Sequence, residues 1–254
     1  MKTMRIALVM LLIGGLLTTA AFFMAFFTAE VQRLGTVDLA EQIDSAFPLM
    51  NVVEGPEGDV FYRYERPWFS QKIFYFHVPV AEASFLVFAV AAYFAVRFLI
   101  TKRREYDTKA RIAMETSLVF VVLTMFTGIL WTRASWGVWW EWEPRLTTYF
   151  IMILLMIAYF VLRNSIEDEE RRAVYGAVFT IIAFIDAPIS FFITRLVPST
   201  HPVVFQSGMA TSNLVPFIVA QIGMLMVGYA IYVMRMQEEL LTERIDAAKD
   251  ALEG

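Results

Sequence analysis

Four tryptophans, Trp136, Trp139, Trp140 and Trp142, fall within seven positions of the stretch "SWGVWWEWEPRLT", with Gly137, Glu141, Glu143 and Arg145 among and after them. The chain has two histidines, His77 in "QKIFYFHVPVAE" and His201 in "VPSTHPVVFQ", each with a proline one or two positions on. Indole rings supply large flat apolar faces, and imidazole nitrogen is a common ligand for metals, haem iron included. There is no cysteine. Disulfides, Cys-ligated zinc, iron–sulfur clusters, thiol redox chemistry and a c-type haem attached to the chain itself are therefore excluded.

Two imidazoles are few for a bare metal ion. Zinc sites use three or four donors, so carboxylates would have to complete the set. A flat, apolar, anionic ligand carrying one metal fits the residue types better. Haem has two axial positions for His77 and His201, broad faces for aromatic contact, and propionates that pair with cations such as Lys72, Arg133 and Arg145. Plainer readings stand beside this one. Tryptophans gather at membrane interfaces, and a lone histidine there is often a hydrogen-bonded interfacial residue.

The elements that must carry these residues are legible from hydropathy. Apolar residues make up 58% of the 254 residues, with a mean hydropathy of +0.58. A helix needs about 20 apolar residues to cross the hydrocarbon core. Six runs approach that length: residues 6–27, 76–100, 116–133, 146–162, 173–194 and 213–234. The first, with Lys2 and Arg5 before it, is longer than the ~7–15 residues of a signal-peptide core and reads as a spanning helix. The expected fold is all-α, an integral membrane bundle of six transmembrane helices forming one membrane domain over residues 1–254.

Of the 21 Lys and Arg residues, 14 fall on one set of alternate connections and seven on the other. Basic residues accumulate on the cytoplasmic side, so both termini are expected there. The outer face would then hold the 28–72 loop, the tryptophan-rich loop 134–145 and the 195–212 loop. Residues 237–254 read as a charged cytoplasmic extension of the last helix. The tryptophan stretch and both histidines thus reach one face through three separate connections, although the charge rule did not use them. Asp186, inside the fifth span, is costly at that depth and a functional suspect; its plainer reading is a carboxylate bonded within the bundle near Pro188. Glu82 lies five residues beyond His77, near the interface. No P-loop is present and nothing points to nucleic acid, so any work done with ATP would belong to partners.

"WGVWWEWEPRLT" resembles the tryptophan-rich signature of the CcmC family, the haem exporter protein C proteins of cytochrome c maturation. "KIFYFHVP" resembles the segment with the first family histidine, and "STHP" falls where the second is found. The resemblance covers nearly the whole chain. It implies His77 and His201 as ligands of haem iron, and Trp136, Gly137, Trp140 and Trp142, with Trp139 beside them, as a haem platform. Arg145 matches the motif arginine. Glu143 stands where the family usually has Asp, Pro144 follows as in larger haem-lyase relatives, and "RLVPST" replaces the Trp pair that often precedes the second histidine. The implied task is to hold non-covalent, transient haem b at the outer face of the cytoplasmic membrane. The haem would be presented for attachment to the chaperone CcmE, with the small protein CcmD and the CcmAB transporter as further partners. That is haem binding and transfer, with lyase activity toward the chaperone as an open question. The alternatives are a cytochrome c synthetase-type haem lyase, a b-type redox carrier and a haem-free permease or pore.

Overall fold

The computed structural model describes residues 2–29, 33–38, 50–54, 60–65, 68–199, 201 and 211–253. Among these residues seven helices and three strands follow one another. They are α1 (Lys2–Phe27), β1 (Arg33–Asp38), β2 (Met50–Glu54), β3 (Val60–Glu65), α2 (Trp68–Thr101), α3 (Arg104–Trp136), α4 (Pro144–Ser165), α5 (Glu169–Phe184), α6 (Asp186–Leu196) and α7 (Thr211–Glu253). Six helical spans are long and apolar enough to cross a membrane, with α5 and α6 together forming the fifth. The chain is a multi-pass membrane protein, and its bundle is helical as the hydropathy predicts.

The strands add what the hydropathy pattern did not anticipate. They form a small antiparallel sheet in the order β1-β3-β2, within the 28–72 connection. The rest of that connection and most of 195–212 lie outside the described residues.

Helix ends follow local chemistry. Gly137 ends α3 with φ 78°, a left-handed conformation that glycine adopts without Cβ strain. Seven residues later Pro144 opens α4. Its missing N–H costs nothing in a first turn, and Glu143 caps the helix by accepting hydrogen bonds from the backbone N–H groups of Arg145 and Leu146 at 2.9 and 3.1 Å. "GVWWEWEP" is thus a stop, a short non-helical bridge and a start. The break between α5 and α6 falls at Ile185, three residues before Pro188, which cannot donate the N–H that would continue the ladder.

The core lies among α2–α6, built on Phe88, Met114, Val121, Tyr149, Met152, Met156 and Tyr159. α1 joins by packing on α7 with backbones in close approach. A Cβ on Gly14 would meet the Gly223 carbonyl at 2.7 Å, and one on Gly223 would meet the Gly14 carbonyl at 2.8 Å. Small residues permit such contact between membrane helices. Large apolar side chains such as Leu12, Leu16 and Val161 remain exposed, suited to lipid.

Opposite the end where α3 turns into α4, charged residues tie the helices together. Arg163 on α4 makes two hydrogen bonds to Asp107 on α3, at 2.7 and 2.9 Å, both residues being buried. Gly176 on α5 leaves room for that guanidinium, since a Cβ there would lie 2.7 Å from Nη1. Beside it, Arg111 and Glu115 on α3 bind Arg235 and Glu239 on α7 in a four-residue network. α7 then continues as an exposed helix to Glu253, as the charge spacing of the tail suggests.

Candidate functional site

A partly open cavity lies where the third to fifth turns of α2 and the first turns of α4 meet the last turns of α3 and α6. Both histidines line it, together with Arg145, Arg195, Glu82, Trp131 and Tyr149; Val78, Phe85, Met125, Leu146 and Phe191 make much of the wall apolar. Two side chains 124 positions apart in sequence are thereby brought to one space.

His77 is held on α2 by a hydrogen bond between Nδ1 and Thr127 Oγ1 on α3, 2.9 Å long. The Thr127 hydroxyl also lies within reach of the Leu123 and Thr124 carbonyls of its own helix, at 2.9 and 3.1 Å. With its one proton donated there, it accepts from His77 Nδ1–H, the tautomer that leaves the Nε2 lone pair free for a metal. Gly128 completes the seat, because a Cβ there would approach His77 Cε1 to 3.2 Å.

His201 is placed by a different device. Its backbone N–H donates to Ser199 Oγ at 3.1 Å, and the same hydroxyl donates to Glu143 Oε1. Glu143 is buried and also caps α4, so one carboxylate ties the start of α4 to the segment bearing His201. The imidazole rests against Trp131, ring centroids 5.8 Å apart and inclined by 34°. Trp131 in turn meets Trp136 edge-on at 5.1 Å, and Leu146 packs with both.

The motif tryptophans divide. Trp136 is buried behind Trp131. Trp140 and Trp142 cluster edge-on with Phe150, with centroids 5.3–6.3 Å apart, and Trp142 is 69% exposed. Trp139 is exposed beneath the Arg133 guanidinium, 5.5 Å from the ring centroid. None of these four is among the residues lining the cavity; the indole that lines it is Trp131.

The three cations expected near a ligand also divide. Arg145 lines the cavity. Lys72 is buried and donates to the Ala25 and Ala29 carbonyls at the end of α1, satisfying groups a helix terminus leaves unpaired. Arg133 donates to the Gly137 carbonyl and is exposed. Trp131, Thr127, Gly128, Tyr149 and Arg195 were not singled out from sequence. Each sits in an apolar helix or beside one, where a single polar or aromatic residue gives no periodic signal. Asp186 does not line the cavity. Its Oδ2 is buried without a hydrogen-bond partner.

Among the described residues no three His, Asp or Glu side chains converge as a bare metal ion would require. Two imidazoles, one braced through its Nδ1, an apolar wall and two guanidiniums suit a flat, anionic ligand with one metal.

The architecture and cavity define a class: a multi-pass helical membrane protein with a histidine-bearing cavity at one end of the bundle. The chain belongs to the CcmC family, "Heme exporter protein C", whose profile matches residues 68–251, from the first turn of α2 nearly to the end of α7. It is 30% identical over 179 residues to the "Heme exporter protein C" of Bradyrhizobium diazoefficiens, covering 68% of each chain. It is 29% identical over 119 residues to that of Rhodobacter capsulatus, covering 47% of this chain and 49% of the relative. A "Putative cytochrome c biosynthesis ccmC-like mitochondrial protein" of Marchantia polymorpha is 30% identical over 120 residues, or 47% of this chain and 50% of the relative. The matched stretch thus spans about half the length of the latter two.

Proposed function

We propose that this protein handles haem in cytochrome c maturation, holding non-covalent haem b in the cavity of His77 and His201 and presenting it to the chaperone CcmE. The observation that carries the reading is the convergence of the two histidines on one apolar cavity with Arg145 at its wall. The family's relatives bear names that fit it. Haem is cargo here, and the chain's own residues account for the holding. His77 Nε2 and the His201 imidazole offer nitrogen to iron, Trp131 offers a face to the macrocycle, and Arg145 offers donors to a propionate.

The bridge between α3 and α4 supplies the other half of the task. Trp139 and Trp142 are exposed beside the end of the bundle that bears the cavity, and large rigid aromatics are enriched at binding hot spots. That edge suits the chaperone. CcmD and the CcmAB transporter complete the proposed set of partners, with the cavity on the periplasmic face of the inner membrane and both termini cytoplasmic.

The absorption spectrum of the detergent-purified protein, as isolated and after adding haemin, tests the central claim. A Soret band with sharp reduced bands is the expected result; a protein that stays colourless in excess haemin returns the choice to a permease. Orientation is tested separately. With no native thiol, Val138→Cys and Glu105→Cys each introduce the only one, both at exposed positions. An impermeant maleimide added outside intact cells is expected to label the first and spare the second.

A further inference from the structure

Arg145, on the first turn of α4, donates from Nη2 to the Phe191 carbonyl at 2.8 Å. Arg195, on the last turn of α6, donates from Nη1 to the same carbonyl at 3.3 Å. Nitrogens that share one acceptor at those distances lie no more than 6.1 Å apart. Two full positive charges therefore stand side by side at the cavity wall, and both residues line the cavity. Neither has a carboxylate within ion-pair distance among the described residues: Glu143 is spent on the α4 cap and Ser199, and no salt bridge includes Glu82.

Such a pair needs a reason. Like charges this close repel, more strongly beside an apolar cavity than in open water. Each guanidinium has five N–H donors in a fixed planar fork that matches carboxylate oxygens two at a time. Arg145 commits donors only to Phe191 O and, at 3.5 Å, to Thr194 Oγ1; Arg195 commits one to Phe191 O. The remaining donors are available to a ligand. Arg195 is exposed yet braced, its guanidinium lying over the Phe191 and Phe192 rings at 5.1 and 5.8 Å from their centroids.

We infer that Arg145 and Arg195 form a paired carboxylate clamp at the cavity wall, with Arg195 a specificity-determining residue that selects a dicarboxylate ligand over its uncharged counterpart. The inference rests on the haem reading and deepens it, because the two propionates of haem are the dicarboxylate in question. It also replaces Lys72 and Arg133 as propionate partners, since both commit donors to backbone carbonyls outside the cavity lining.

The test uses two probes, haemin and haemin dimethyl ester, in which both carboxylates are neutralised while iron and ring are kept. Each is titrated into the full-length protein in detergent and followed by its Soret band, for wild type, Arg195→Gln and Arg195→Lys. Wild type is expected to prefer haemin over the diester by roughly tenfold or more, as charge-assisted hydrogen bonds imply. Arg195→Gln should bind the diester as wild type does but lose several-fold in haemin affinity, so that the preference falls by at least about threefold. Arg195→Lys should fall between, since charge is kept and the fork is lost. Comparing the preference across variants cancels any partition of the diester into micelles.

An Arg195→Gln preference equal to that of wild type, with haemin still bound, overturns the clamp and leaves the haem reading standing. Equal weakening of both probes also overturns it, by showing a merely structural role. If wild type binds neither probe, the haem reading and the clamp fall together.

Discussion

Arg111, Arg163 and Arg235 tie α4 and α7 each to α3, and each finds a carboxylate: Arg163 binds Asp107 with both arms, and the other two share Glu115 and Glu239. At the opposite end, Arg145 and Arg195 find only a backbone carbonyl and a hydroxyl among the described residues. The same side chain thus serves in two ways in one bundle. Where its charge is matched within the chain, it fixes helices against each other. Where it is left unmatched beside a cavity, the chain bears a local electrostatic cost that a ligand can relieve.

The sharpest way to break this contrast is to remove a partner at the matched end. Asp107→Ala leaves the Arg163 guanidinium buried and uncompensated, a loss of about 3–5 kcal/mol for a buried pair. The thermal unfolding midpoint in detergent should fall markedly, while the haemin affinity of the remaining folded protein should not change. An Asp107→Ala protein that melts with wild type would show that the pair does not hold the helices. Arg195→Gln is the mirror case, changing ligand preference with little change in melting.

Next in size are the histidines. His77→Ala and His201→Ala each remove an imidazole from the cavity with little effect on packing. Each should lose roughly a hundredfold in haemin affinity, since residues that merely support a ligand are already worth 10–100-fold. The Soret band should shift, and added imidazole should partly restore it. Unchanged spectra in both variants would make the histidines interfacial residues and leave the cavity without its iron site.

A smaller effect is expected at Thr127, which touches His77 and no ligand. Thr127→Val keeps the shape and removes the acceptor for Nδ1–H, so the tautomer is no longer fixed. Haemin affinity should fall about tenfold, the lower part of the range for supporting residues, with an altered reduced spectrum. Thr127→Ser should recover most of the loss. A valine variant with wild-type affinity and spectrum would separate the Thr127 contact from ligation.

Much of this arrangement is legible without coordinates. The six spans can be read because lipid demands about 20 apolar residues at a stretch. Their ends are less so: α3 begins at Arg104, twelve residues before its apolar run, because the polar stretch from 104 to 115 is helical as well, with Asp107, Ala110 and Ile112–Met114 buried on one side and Arg104 and Glu105 exposed. The sheet of β1–β3 went unforeseen in a segment whose prolines and glycines suggested only short pieces. His77, His201 and Arg145 are legible by their rarity or their motif. Trp131 and Arg195 are not, since one passes as an interfacial aromatic and the other as a topological charge. Lys72 misleads for the complementary reason, because only the packing of α1 on α2 reveals that its amine is committed to carbonyls.

The smallest predicted change concerns Glu143, where the two halves of the cavity end are joined. Its Oε2 caps α4 and its Oε1 accepts from Ser199, whose hydroxyl receives the His201 N–H. Asp is as good a cap or better, so Glu143→Asp should keep α4 and leave the stability within a few tenths of a kcal/mol of wild type. It is shorter by one methylene, however, and the reach to Ser199 is lost. The His201 segment should loosen and haemin affinity should fall by about twofold, less than one net hydrogen bond would give. Glu143→Ala removes cap and tether together, costing about 1 kcal/mol for the cap, with a larger loss of affinity than Asp. Ser199→Ala cuts the tether alone and should match Glu143→Asp in affinity while melting as wild type. If Ser199→Ala and Glu143→Asp both bind haemin as tightly as wild type, the tether does not position His201, and Glu143 serves α4 alone.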